Sequence, residues 1–351
     1  MRPSVEKQLK EVAADIDYLS PEFSFRALRE TAEHVSELVE ANAAATFGYL
    51  MRGAIQEFAN DIYKDVAVIY PAFVTEIGSR RRSEVYGGLH RTALPKHVDA
   101  GEKFQDTSFK GFERELVNQK FGHIETFERE LFDDDQTGQV RSRAANIGEG
   151  FRIFEEIYVL KRLFGAAATE EGVEVAASSY DSGNVFTVAI GNRPGSYARL
   201  SQTTLEAAHV AMRKMVDPLG RKFLVVPNVL LVSVDDEMEA IRILNSPNMA
   251  NVVTSGTVQG TNTATAQRVN PLMGKYTPYA SPFIRQYAWM VGDMKRGFVF
   301  QRRDPMEVTQ ENPASGQSFQ QEVYAFRARS RFEADWVEPR FAYLGNDGTA
   351  S

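Results

Sequence analysis

Between Arg80 and roughly Lys110 the chain makes a polar, arginine-rich excursion that holds too few apolar residues to bury itself. It leaves from Asp65 to Phe73, a segment of strand composition, and returns through Phe121-Gly-His-Ile-Glu-Thr-Phe127. The acidic corner Asp133-Asp134-Asp135-Gln136 and a long helical pattern follow. A loop of this length inside a compact domain is uncommon and is usually functional or disordered. A segment that cannot pack on its own domain has to lie on something else, and a neighbouring copy of the chain is the available surface. Phe104, Phe109 and Phe112 are aromatic anchors at its far end, and the strand-like return predicts a long two-stranded ribbon.

The helical pattern over Thr137–Phe164 is the clearest in the sequence. Val140, Ala144, Ile147, Phe151, Phe154 and Tyr158 recur every three or four residues, which puts them on one face. Ile153, Ile157, Leu160 and Phe164 add a second stripe, so the C-terminal half is expected to be more widely buried. Gly148 and Gly150 each cost roughly 1 kcal/mol relative to Ala inside a helix, which a bend or a close backbone crossing would explain. At about 1.5 Å per residue the helix spans about 40 Å.

Before the excursion, Val5, Leu9, Val12, Ile16 and Leu19 form an amphipathic helix that Ser20-Pro21 ends. Leu28, Ala32, Val35 and Val39 mark another, and Phe47, Met51, Ala54, Phe58 and Ile62 a third. Beyond the long helix, Val185 to Ile190 reads as a strand, and Thr203-x-x-Glu206 as the capping box of a helix with Leu205, Ala208, Met212 and Met215 inside. Phe223-Leu-Val-Val-Pro227 reads as a buried strand, and Ser233-x-x-Asp236 opens a second capped helix through Met238, Ile241 and Leu244. From Asn245 to Asn270 the chain is rich in Asn, Thr, Gly and Ser and almost uncharged. Strand patterns then run over Tyr276–Ile284, Tyr287–Val291, Phe298–Gln301, Glu307–Thr309 and Phe319–Phe332. In the last, Arg327, Arg329 and Arg331 share one face and Phe326, Ala328 and Phe332 the other.

The search for chemistry finds little. No cysteine is present, which removes disulfides, thiolate metal sites and thiol nucleophiles together. Only five histidines occur, and neither His34 nor His209 has a second ligand at helical spacing. His123-Ile-Glu125 opens like a zinc-deaminase signature but lacks the cysteines that chemistry needs. There is no phosphate-binding glycine loop, no nucleophile elbow and no three-glycine dinucleotide fingerprint. No cofactor is expected. Asp133-Asp134-Asp135 reads either as hard-cation ligands or as solvated carboxylates at a helix N-terminus. Arg80-Arg81-Arg82 reads either as a contact for phosphate or acidic protein surface, or as a solvated loop tip. The Arg327, Arg329 and Arg331 ladder has the same two readings, with inter-subunit salt bridges preferred because a bare like-charge strand face is costly. The net charge of -7 argues against a dedicated nucleic-acid binder. No run approaches the roughly 18 apolar residues of a membrane span, so a soluble protein folded in the cell that made it is expected.

The order of these elements resembles the Hong Kong 97 fold of tailed-bacteriophage major capsid proteins and encapsulin shells, nearest to the Mu-like major head subunits. Phe127-Glu-Arg-Glu-Leu-Phe-Asp-Asp-Asp135 resembles the end of that family's extended loop, and Phe223-Leu-Val-Val-Pro227 its axial strand and proline. Asn270-Pro-Leu-Met-Gly-Lys275 running into Ser281-Pro-Phe-Ile284 resembles the returning strand. Trp289-Met-Val-Gly-Asp293, Arg302-Arg-Asp-Pro305 and Arg329 to Tyr343 resemble the closing strands. The resemblance covers roughly Phe47 to Asn346, and it lies in the order of the motifs.

It implies an α+β fold: an N-terminal helical arm (1–66), an extended loop (67–128), a peripheral domain (129–190 and 279–340) with spine helix 137–164, an axial domain (191–278) and a tail (341–351). It implies a shell of pentamers and hexamers, made in the bacterial host cytoplasm, enclosing double-stranded DNA without sequence-specific binding or enzymatic turnover. Scaffolding, portal and decoration proteins are the implied partners, and no membrane is. Arg80, Arg81, Arg82, Phe104 and Phe109 would contact an adjacent subunit, and Asn248, Asn251, Thr257 and Thr261 would lie near the capsomer axis. Lys103 and Lys110 occupy the loop in which one branch of the family forms a covalent link, but Ser318 stands where that branch carries asparagine, so no link is expected. An encapsulin compartment and an enzyme with an unrecognised site are the alternatives.

Overall fold

The computed structural model describes residues 55–89, 97–101, 103, 111–128, 139–165, 168–170, 172–180, 183–218, 220–222, 224–247, 269–310 and 323–348. The first two expected helices, the acidic corner and 248–268 lie outside these residues. Helix α1 covers 55–65, and a 3-10 turn, Tyr70–Ala72, precedes strand β1, Thr75–Gly78. The strand expected over Asp65 to Phe73 is thus replaced by a helix end and a turn. Pro71 has no N–H for a ladder, and the Ile69 N–H donates to the Glu156 carboxylate at 3.2 Å.

Strands β2, Ser83–Leu89, and β3, Gly111–Val117, form an antiparallel ribbon in register from Ser83 opposite Val117 to Leu89 opposite Gly111. The ribbon is the one the excursion predicted, but its return strand is β3. Phe121–Phe127 belongs to β4, Gln119–Glu128, which joins a different sheet. Helix α2, Gln139–Phe164, is the expected long helix. Two short hairpins follow, β5 (Ala168–Glu170) with β6 (Val173–Val175) and β7 (Ser179–Tyr180) with β8 (Gly183–Asn184). Val185 to Ile190 is bends and turns and not a strand, because Asn192 takes its backbone groups: Nδ2 donates to Val185 O at 2.9 Å and Oδ1 accepts from Thr187 N at 2.8 Å.

Helix α3, Gln202–Lys214, starts earlier than expected, with a capping box of Ser201 and Thr204 in place of Thr203 and Glu206. Leu205, Ala208, Met212 and Met215 are buried as the pattern required. The buried strand expected over Phe223 to Pro227 lies further on, as β9, Val229–Ser233. Helix α4, Val234–Asn245, has Ser233 at its N-cap, yet the Ser233 hydroxyl accepts from the Tyr287 N–H and makes no cap bond. Its inward face is Asp236, Ala240, Ile243 and Leu244, so of the apolar residues that marked the helix Leu244 is inside while Met238 and Ile241 face solvent. Strands β10 (Thr277–Ser281) and β11 (Trp289–Gly292), the helical turn α5 (Met294–Gly297) and the long strands β12 (Phe298–Gln310) and β13 (Val323–Trp336) come next. The two strands expected at Phe298–Gln301 and Glu307–Thr309 are one, β12. A 3-10 turn, Pro339–Phe341, leads into β14, Ala342–Asn346.

The chain divides into two compact units, one of 1–67, 120–153 and 304–331 and one of the remainder. In the first, α1 and the start of α2 pack on β4, β12 and β13 through Ile55, Ala59, Ala144, Ile147, Phe151 and Phe326. A Cβ on Gly148 would meet Ala59 O at 2.2 Å, so this glycine lets the α1 backbone cross α2. Gly150 has open space around it and no such requirement.

In the second unit a four-stranded sheet runs β10-β9-β11-β14. Parallel β10 and antiparallel β11 flank β9, and β14 runs antiparallel to β11. Helix α3 packs on β11 and β14 and α4 on β9 and β10, sharing one core with Leu230, Val232, Trp289 and Val291. Full burial of one such side chain stabilises by about 1.5–3 kcal/mol. β1 pairs in parallel with the start of β12, from Thr75 opposite Val299 to Gly78 opposite Arg302. Around it an aromatic group stacks edge to face, with Phe298 and Phe186 each set against Trp336 and Phe332 against Tyr158. The Trp336 indole donates to Leu163 O at 2.9 Å.

Candidate subunit-contact surfaces

The ribbon is fixed at its base by side chains of different character. Leu116 is buried, the Tyr86 hydroxyl donates to Gln301 Oε1 at 2.7 Å, and Arg114 donates to Asp335 at 2.7 Å. Asn118 Nδ2 reaches Ser79 Oγ and Arg81 O, both at 2.9 Å, and so closes the turn that enters β2. The Glu84 carboxylate accepts from Ser79 and from the Arg80 N–H; desolvation opposes its charge, but these bonds and the Arg81 charge hold its pKa below the usual carboxylate value. Val85 and Val117 remain exposed on the ribbon.

The ribbon's Arg114 belongs to a buried charged group around the C-terminal half of α2. Glu333 accepts from Tyr158 Oη at 2.7 Å, Arg162 Nη2 at 2.9 Å and Gln119 Nε2 at 2.8 Å. Burial, then Glu333, push the Tyr158 pKa up; burial opposes the Arg162 charge, but Tyr158, Glu333 and Asp335 outweigh it and raise its pKa. On the other side Glu156 accepts from Ser281 Oγ at 2.9 Å. Sequence reasoning missed these residues. The signal available was the pairs Glu155-Glu156 and Lys161-Arg162 inside an otherwise apolar stretch.

The predicted contact residues separate into three groups. Arg80, Arg81 and Arg82 lie on the turn before β2, exposed, with no ion pair to a described residue. Phe104, Phe109, Asn248, Asn251, Thr257 and Thr261 lie outside the described residues. Arg327, Arg329 and Arg331 share the outer face of β13 as expected, and neighbours on β12 balance two of them within the chain. Arg329 pairs with Glu307 at 2.7 Å, Arg331 with Asp304 at 3.8 Å, and Arg327 donates to Thr309 Oγ1 at 3.3 Å. Within the chain the cost of a like-charge strand face is offset for Arg329 and Arg331, while Arg327 meets a hydroxyl and no carboxylate among the described residues.

His123 is exposed, and its ring stacks on Phe151 with centroids 5.3 Å apart. Among the described residues no group of three or more His, Asp or Glu side chains is placed to hold a metal ion, and no helix is long and apolar enough to cross a membrane. What the second unit does present is exposed apolar surface: Val234, Met238 and Ile241 on α4, and Val210, Val216, Leu224 and Val226 by α3.

Comparison with known proteins places this geometry. The family model described as phage capsid protein matches residues 115–345. The fold is shared with the capsid of a native GTA particle computed with C5 symmetry, at 11% identity and a TM-score of 0.50, over 80% of this chain and 91% of that one. It is shared equally with a structure from Microbacterium phage Oxtober96, at 11% identity and a TM-score of 0.50, over 80% of this chain and 94% of that one. No curated protein matches the sequence.

Proposed function

The chain belongs to the phage capsid protein family, and on that premise we propose that it is the head subunit of a tailed phage, built through pentamers and hexamers. It is a major capsid protein, a structural component of the virion that self-assembles into an icosahedral shell. The observation that carries the finer reading is the β2–β3 ribbon. It is anchored at its base by Tyr86, Arg114 and Leu116 and carries the exposed Arg80, Arg81 and Arg82 at its entry. Such a ribbon is suited to lie across an adjacent subunit, with Phe104 and Phe109 as further contacts.

In this reading 129–190 and 279–340 form the peripheral domain around α2, and 191–278 the axial domain. Asn248, Asn251, Thr257 and Thr261 approach the capsomer axis, where a low-charge sequence avoids the repulsion that like charges brought together would cause. By motif order the chain resembles the Mu-like head subunits. The shell encloses double-stranded DNA without reading its sequence, and scaffolding, portal and decoration proteins assist its assembly in the host cytoplasm. Electron microscopy of particles purified after expression tests the reading. Closed shells with five-fold and six-fold capsomers are expected; a monodisperse monomer at high concentration, with or without scaffold, would overturn it.

A further inference from the structure

Two exposed surfaces of the second unit are unlike in charge and alike in apolar content. On α4, Val234, Met238 and Ile241 recur at four and three residues and form a solvent-facing stripe, with Met238 65% exposed. Asp235 and Glu237 flank that stripe, and Glu239 is taken by Arg242. Beside the end of α3, Leu224 and Val226 face solvent with Val225 buried between them, and Leu224 is 68% exposed. Arg213 ties this segment to α3 by donating to Val225 O at 3.3 Å, and the bridge between Val216 and Lys222 closes the turn leading into it. The exposed charges beside it are basic: Arg213, Arg296, which donates to Leu224 O at 3.4 Å, Lys222 close to it in the chain, and Lys214 next to Arg213 on α3, while Asp217 of the preceding turn is buried. One surface is therefore apolar with an acidic border and the other apolar with a basic border.

Their placement matters as much as their chemistry. Helix α4 packs on β9 and β10 and helix α3 on β11 and β14, in a sheet ordered β10-β9-β11-β14. Leu224 and Val226 precede β9 and α4 follows it, so the two surfaces are distinct parts of the subunit. Two different, mutually complementary patches on one subunit generate a head-to-tail contact, which closes into a ring when the rotation permits. Burying two such apolar stripes against each other removes both from water, and the opposed borders fix which way round the subunits meet.

We propose that the α4 surface of one subunit, Val234, Met238 and Ile241 with Asp235 and Glu237, docks on Leu224 and Val226 with Lys214 and Lys222 of an adjacent copy within a capsomer ring. This deepens the shell reading above and rests on it, and it names the contact and its direction. The test uses charge exchange in the full chain. Asp235→Lys with Glu237→Lys, and separately Lys214→Glu with Lys222→Glu, should each lower capsomer yield by about tenfold or more, the scale of 1.4 kcal/mol per contact. All four changes in one chain should restore it. Equal yields from wild type and both single-surface variants would overturn the proposal, as would a four-fold variant that folds but does not recover.

If a charge variant fails to fold, a second measurement decides. The chain has no cysteine, so Met238→Cys with Leu224→Cys, joined by a short bismaleimide, should give a ladder of cross-linked subunits on a denaturing gel. Either single-cysteine variant should give no more than dimers. Shells that form normally without a ladder would sink this contact and leave the capsid reading standing. Failure of wild type to form rings or shells would instead sink the capsid reading.

Discussion

Glu155 and Arg302 are joined by two hydrogen bonds, Nη1 to Oε1 at 2.8 Å and Nη2 to Oε2 at 3.1 Å, and Glu155 is fully buried. Tyr70 Oη donates to the same carboxylate at 2.9 Å, and Arg302 Nε reaches Glu76 at 2.6 Å. Removing one partner of a buried pair leaves a charge in the interior and costs about 3–5 kcal/mol, whereas replacing both with apolar groups is often close to neutral. Arg302→Met should therefore lower the thermal midpoint strongly. Glu155→Leu with Arg302→Met should recover much of the loss. A double variant no better than the single would show that the pair is not the term that matters.

Phe151 lies on the inner face of α2, in contact with the His123 ring and within the core formed with α1 and β13. Phe151→Ala should cost about 3–5 kcal/mol, enough to reduce soluble yield before assembly begins. Chemical denaturation of the unassembled subunit measures this, and an unchanged midpoint would contradict the burial of that stripe.

Where the sequence was legible, and where it was not, follows from the range of the forces involved. Helix α2 could be read because its stripe repeats within a turn, and the burial of Ala144, Ile147 and Phe151 follows that pattern. Phe223-Leu-Val-Val-Pro227 and Val229–Ser233 have nearly the same composition, and only the pairing of the second with β10 and β11 makes it the strand. On α4 the run Met238, Ile241 and Leu244 has the spacing of an inner face, yet only Leu244 is inside, because the docked sheet decides between faces. Glu155 and Arg302 are 147 residues apart and leave no local trace. The ribbon was legible as an unburiable segment, but its register depends on cross-strand pairs that a single strand cannot specify.

Gly148 and Gly150 are separated by one residue and should respond to alanine with opposite signs. A Cβ at Gly148 would sit 2.2 Å from Ala59 O, whereas one at Gly150 meets nothing within 4 Å. Gly148→Ala should destabilise by about 1–3 kcal/mol through overpacking, while Gly150→Ala should stabilise by roughly 0.5–1 kcal/mol through helix propensity. Thermal unfolding of the two variants side by side checks the crossing of α1 over α2.

His209 on α3 lies against the Tyr276 hydroxyl, and its pKa is lowered from 6.5 by burial first and then by Lys275 and Arg213. Between the lowered folded value and 6.5 the unfolded chain binds the proton more readily, so stability rises with pH through that window and falls on acidification. His209→Gln should remove this part of the pH dependence. Denaturation midpoints at about pH 7 and about pH 5, compared between wild type and variant, test it; an identical slope in both would assign the pH dependence to other groups.

Arg80, Arg81 and Arg82 are exposed at the entry to the ribbon and form no ion pair with a described residue of their own chain. Their backbone is held by hydrogen bonds to Glu84 and Asn118, and of the three charges Arg81's also acts on the Glu84 carboxylate within the turn. An exposed ion pair contributes only about 0.2–1 kcal/mol, but a shell repeats each contact at every subunit, and small terms accumulate across the particle. Replacing all three arginines by alanine should leave the unfolding of the isolated subunit nearly unchanged. Shell yield should fall, and the defect should resemble that of wild type in high salt, where exposed pairs are screened. Light scattering across a salt series compares the two directly. Shells of the triple variant as robust as wild type at every salt concentration would make these arginines a solvated turn and nothing more.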